Sequence, residues 1–188
     1  MPNFGRISII SASAVGGFAL LLLIISVGTV TWLDDGYGNT IGLFRKCYGS
    51  NQTIITDGTG NTQGCYSENR VTQGGLSVFG LLLLAFGVVA AIASLFMANH
   101  AVVVAALILF YFSSMFVMAA YATWGVYSRD NYSYNFPSTA AGTPDLRHTG
   151  LGASYNLCVA AHYFLWTALT ALAFGAGYAI GGDQNQQQ

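Results

Sequence analysis

Cysteine, histidine and carboxylate side chains carry most protein chemistry, and here three groups of them stand out. Cys158 and His162 stand one helical turn apart in a long apolar run, with Tyr155 and Trp166 on the same stripe. A metal or redox site is one reading of that pair, but two ligands are too few for zinc. The expected role of His162 is that of a neutral imidazole hydrogen-bonded to a neighbouring helix, because a polar group inside a bilayer needs a partner. Asn156 is read the same way. Cys47 and Cys65 belong to a polar stretch, so the cysteines read as one pair plus one buried thiol. Quinone-linked membrane disulfide oxidoreductases need a reactive Cys-x-x-Cys pair and a second pair to relay electrons, and neither pattern occurs. No activated nucleophile or base cluster stands out either, so the expectation is a protein that is not an enzyme and takes no cofactor or metal. The third group is Asp34, Asp35 and Asp57. A ring of carboxylates would line a cation path, whereas the plainer reading is a set of solvated turns. From 34 to 74 the cations Arg45, Lys46 and Arg70 face Asp34, Asp35, Asp57 and Glu68, so no strong selectivity field is expected.

The elements that position these groups are apolar. The chain is 54% hydrophobic and only 7% charged, against about 25% charged in an ordinary soluble domain. A net charge of −1 leaves no electrostatic footprint for nucleic acid. Four runs are long enough to cross a bilayer: 7–33, 75–97, 101–127 and 151–180. A cleaved signal peptide competes for the first, since Ser26-Val27-Gly28 loosely resembles a cleavage site, but the run is long for one. Ser13 with Gly17, and Gly87 with Ala91, are spaced to let helices approach closely. Tyr121, Trp124 and Tyr127 read as an aromatic belt where the third run leaves the membrane. The short connection around Asn99 predicts a tight hairpin between antiparallel helices.

Two polar loops remain, 34–74 and 128–150. In the first, glycines supply turns between β-capable runs at 40–44 and 53–56, which predicts a small antiparallel sheet. Orientation signals conflict. Arg45, Lys46, Arg70, Arg129 and Arg147 fall on the loop side and Arg6 alone on the other, which would put the loops in the cytosol. Against this, the glycosylation sequons at Asn51 and Asn131, together with Cys47 and Cys65, share the loop side, and a disulfide needs an oxidising compartment. Three agreeing features favour extracellular loops and cytosolic termini.

The first loop reads Trp32, then Gly42-Leu43-Phe44, then Cys47 and Cys65. With four spans, this order resembles the claudin superfamily: claudins, peripheral myelin and epithelial membrane proteins, and calcium-channel gamma subunits. Tetraspanins, whose large loop lies between the third and fourth spans, do not match. The resemblance implies a left-handed four-helix transmembrane bundle capped by a small extracellular β-sheet, one membrane domain over 1–188. It implies packing roles for Trp32, Gly42, Leu43 and Phe44, and a disulfide between Cys47 and Cys65. Arg70 sits where many claudins carry an arginine. Phe44 replaces the motif tryptophan, keeping an aromatic ring but losing the indole donor. The implied function is non-enzymatic: self-association at cell junctions of the plasma membrane, in adhesion or barrier formation. The alternative is an auxiliary subunit of an ion channel or receptor. Partners are then membrane lipid and protein, with contacts expected at Asp34, Asp35, Asp57, Tyr132, Tyr134 and Phe136. A glycan on Asn51 would hinder claudin-type strand packing and favour the auxiliary role.

Overall fold

In a bilayer the backbone has no water to bond, so a spanning segment must satisfy its N–H and C=O groups internally, as a helix does. The computed structural model describes residues 3–34, 38–48, 64–67, 70–97, 99–130 and 150–184. Within them lie four long helices, α1 (Asn3–Gly28), α2 (Val71–Ser94), α3 (His100–Asp130) and α4 (Ala153–Gln184). All four are long and apolar enough to cross a membrane. Some of their hydroxyls bond back to the preceding turn, Ser77 to the Gln73 carbonyl at 2.9 Å and Thr123 to that of Ala119 at 2.7 Å, so these two side chains need no outside partner.

The helices close into a ring. α1 packs chiefly on α4 and α2 on α3, and smaller α1–α2 and α3–α4 contacts complete the circuit. The inward stripe of α1 is Ile9, Ala12, Gly16, Ala19 and Leu23, spaced at helical period. Small residues there let a large one enter from across the bundle. Phe110 of α3 is fully buried, with its ring against both Gly16 of α1 and Gly87 of α2. A Cβ on either glycine would lie 2.7 Å from that ring. Gly87 therefore makes a close helix contact as its spacing predicts. On α1, however, the close glycine is Gly16; a Cβ added to Gly17 would meet nothing within 4 Å. The α2–α3 turn and the start of α1 share one end of the bundle, where Arg6 donates to the Leu95 carbonyl and the Phe4 ring meets Tyr178 of α4 at 5.3 Å.

At the other end sits a five-stranded antiparallel sheet of β1 (Leu33–Asp34), β2 (Thr40–Ile41), β3 (Arg45–Tyr48), β4 (Gly64–Ser67) and β5 (Gly150–Leu151), in the order β4-β3-β2-β1-β5. The apolar run expected to span through 33 stops being helical at Gly28. Thr29 folds back on the Ile25 carbonyl through both its N–H and its hydroxyl, and Trp32 and Leu33 turn into the sheet. Of the expected strand at 40–44 only Thr40–Ile41 pairs. There the chain reverses, the Gly42 N–H donating to the Arg45 carbonyl at 2.7 Å. The run at 53–56 lies outside the described residues. β5 has no counterpart in the sequence reading: two residues ahead of α4 pair with β1, Leu151 opposite Leu33 and Gly150 opposite Asp34.

Gly152, between β5 and α4, is where the second loop touches the first. A Cβ there would collide with the Thr31 carbonyl oxygen, which is backbone and cannot swing aside. Gly152→Ala is expected to destabilise the sheet end by about 1–3 kcal/mol. Gly150→Ala meets nothing within 4 Å and should be near neutral. Thermal unfolding of the two variants in detergent checks the difference.

Candidate interaction platform

Trp32 joins three elements. Its indole is fully buried, and Nε1 donates to the Ser26 carbonyl at 2.8 Å. That carbonyl belongs to the last turn of α1, which has no intrahelical partners to offer it. The Trp32 backbone N–H donates to the Ile41 carbonyl of β2 at 3.0 Å, and its own carbonyl accepts from Gly152 N–H at 2.9 Å. One residue thus caps α1, opens the sheet and ties in the second loop.

Ser154, in the first turn of α4, makes a second knot. Its hydroxyl lies 2.6 Å from that of Thr29 and 2.7 Å from that of Thr31, and accepts from Thr31 N–H at 3.2 Å. Ser154 N–H, which the first turn of a helix cannot satisfy internally, donates to the Thr31 carbonyl at 3.0 Å. Ser26 Oγ donates to the Ser154 carbonyl at 2.7 Å. Both serines are fully buried, so the network that joins the end of α1 to the start of α4 is anchored on hydroxyls shielded from solvent.

Under the sheet the Trp32 ring meets Trp124 edge-on at 5.4 Å and Tyr155 at 6.1 Å. Trp124, expected in an aromatic belt facing the membrane surface, is instead fully buried beneath the sheet. Arg70, just before α2, is 7% exposed and lays its guanidinium 4.0 Å from the Tyr127 ring centroid and 5.8 Å from that of Trp124. A desolvated cation over aromatic faces contributes up to about 2 kcal/mol, so Arg70 fastens the start of α2 to the end of α3. Leu43 is fully buried. Gly42 approaches the Val30 backbone so closely that a Cβ would lie 2.8 Å from Val30 Cα. Phe44 covers Gly74 of α2 yet stays 44% exposed.

Cys47 and Cys65 face each other across β3 and β4 and form a disulfide, with Cα atoms 4.1 Å apart. Closing a loop of this size stabilises by about 3 kcal/mol. Asp34 lies in β1, half-buried. Asp35, Asp57, Asn51, Asn131, Tyr132, Tyr134 and Phe136 lie outside the described residues.

The pair that resembles a metal or redox site is a structural node. His162 Nδ1 lies 3.2 Å from the Tyr121 hydroxyl and Nε2 lies 3.1 Å from Ser114 Oγ, both on α3. Trp166 Nε1 donates to His162 Nε2 at 2.9 Å. An indole N–H can only donate, so Nε2 is the acceptor and Nδ1 carries the proton, in a neutral ring. Cys158 is a buried free thiol. Among the described residues no group of three or more His, Cys, Asp or Glu side chains is placed to hold a metal. Asn156, expected to bond another helix, is exposed.

The hydroxyl network of Ser26, Thr29, Thr31 and Ser154 escapes a reading of the sequence because such residues are common near helix ends. The crowding of Ser26, Thr29 and Thr31 just before Trp32 is the one available signal. Among the described residues, four helices long and apolar enough to span a bilayer, with a disulfide-stapled antiparallel sheet at one end, mark a multi-pass membrane protein. No protein-family model and no curated protein matches it.

Trp32→Phe keeps the aromatic packing but leaves the Ser26 carbonyl only the long 3.4 Å contact from the Thr29 hydroxyl, and should cost about 1–3 kcal/mol. Trp32→Ala removes the ring as well and should cost about 3–5 kcal/mol. Thermal denaturation in detergent, with the disulfide intact in each variant, reads the order.

Proposed function

We propose that the chain is a claudin-like integral membrane protein acting without catalysis, its two loops engaging other proteins in cell–cell adhesion or barrier formation. The observation that carries this reading is the β1–β5 pairing. It makes one rigid surface out of segments from both loops, and a recognition surface held in place loses less entropy on binding than two independent loops would. The disulfide at the sheet end supports an extracellular sheet, with the termini cytosolic and the protein at the plasma membrane, because such bonds persist in oxidising compartments. The sequons at Asn51 and Asn131 support the same orientation. On this reading the motif residues hold the platform, and contacts come from the turns beside them and from the aromatic second loop.

A second reading, an auxiliary subunit packed against a channel or receptor, is favoured by the outer face of α4. Thr170, Ala173, Phe174, Gly177 and Tyr178 line an open apolar groove of about 420 Å³ there. A groove of that kind on a membrane-spanning helix suits a partner helix.

Expression in non-adherent cells separates the two. An adhesion protein becomes enriched at cell–cell contacts, and Cys47→Ser, lacking the staple, shows less enrichment. Uniform surface staining with co-purification of a channel would overturn adhesion in favour of the auxiliary role.

A further inference from the structure

Phe44 stands apart from Trp32 and Leu43, its companions in the motif, whose side chains are fully buried. Its ring lies on Gly74, in the first turns of α2, yet is 44% exposed. Gly74 falls between Val71 and Val78 on one helical stripe, by spacings of three and four. Val71 is 71% and Val78 38% exposed. The Phe44 ring, carried by the sheet, therefore fills a gap in an apolar strip that otherwise belongs to α2. That strip runs on down the helix through Phe79 and Leu82, which are also exposed, within the span that crosses the membrane.

The register of the sheet fixes the height of the next residue. Arg45 opens β3 opposite Ser67, the last residue of β4, and the chain enters α2 soon afterwards at Val71. Arg45 thus sits at the base of the β3–β4 pair, level with the start of the span, and its side chain is exposed. An exposed aromatic ring continuous with a lipid-facing helix, next to an exposed guanidinium at the span's end, matches the layering of a bilayer surface: acyl chain below, phosphate above.

We propose that Phe44 and Arg45 dock the sheet onto the bilayer, with the Phe44 ring in the acyl–headgroup boundary and the Arg45 guanidinium on lipid phosphate. The partner is the lipid of the leaflet at the sheet end. The contact sets the tilt of the sheet relative to the membrane, in addition to the ties that Trp32 makes to the bundle. It is independent of the adhesion reading, since it needs no second membrane and no partner protein.

The test uses the full chain with Phe44→Trp, reconstituted in vesicles of phosphatidylcholine and phosphatidylglycerol. Wild-type emission from Trp32, Trp124 and Trp166 is subtracted. The added emission should be lost when the phosphatidylcholine is brominated on the acyl chain near the headgroup, and aqueous iodide should leave it intact. Adding Arg45→Glu should weaken the bromolipid quenching. Added emission quenched by iodide, or by neither agent, would overturn the proposal, the second result pointing to a ring covered by protein. Should the variant fail to fold, the unaltered chain in bicelles gives the answer by NMR. The Phe44 amide should then be broadened by headgroup spin-labelled lipid more than by a water-soluble gadolinium chelate, and the reverse order would overturn the proposal.

Discussion

A helix that ends at the edge of a bilayer leaves its last carbonyls without partners, just where water is scarce and the chain must turn. The sheet end of this protein is built on the solution to that problem. Trp32 caps the Ser26 carbonyl with its indole, and its own backbone groups bond β2 on one side and Gly152 on the other. The capping group is thus also the junction through which the sheet and the second loop are held. Ser154 repeats the device at the start of α4, where Thr31 satisfies an otherwise unpaired N–H. Apolar burial of Trp32, Leu33, Ile41 and Leu43 under the sheet adds to these bonds, and all four residues belong to one core with the helices.

Lipid gives no hydrophobic drive for helices to associate, so the bundle must rely on close contact and internal hydrogen bonds. Both are visible. Gly16 and Gly87 admit Phe110 between α1, α2 and α3, and Ser113 of α3 donates to the Gly80 carbonyl of α2 at 2.8 Å. His162 adds a bond between α3 and α4 through Tyr121, and Ser8 donates to the Ala171 carbonyl between α1 and α4. Each neighbouring pair among these therefore has a polar or small-residue contact that fixes its register.

The long apolar runs make the helices legible in the sequence, because nothing but a spanning helix keeps such a stretch satisfied in lipid. Their ends are less so. Val30 and Leu33 look like more helix, and long-range bonds, those of Trp32 to Ile41 and Gly152 and of Thr31 to Ser154, turn them out of it. Gly150 and Leu151 are too short a segment to announce a strand; their pairing exists because α4 starts beside the end of α1. The spacing of Cys158 and His162 correctly puts them on one face, but whether that face meets a ligand or another helix depends on Ser114 and Tyr121, far away in sequence. Trp124 reads as a membrane-surface residue because a tryptophan at a span's end usually sits there. The sheet that covers it is a non-local feature that no window around Trp124 contains.

The sheet and the helix ends form one cooperative unit through Trp32. Hydrogen exchange of the protein in nanodiscs tests this most directly, through the amides of Trp32, Gly152 and Ser154 and those of the β3–β4 ladder. These amides should exchange together, and Trp32→Ala should accelerate all of them while the middle of each helix stays protected. Fast exchange throughout the sheet of the unaltered protein, with Ser154 still protected, would contradict it.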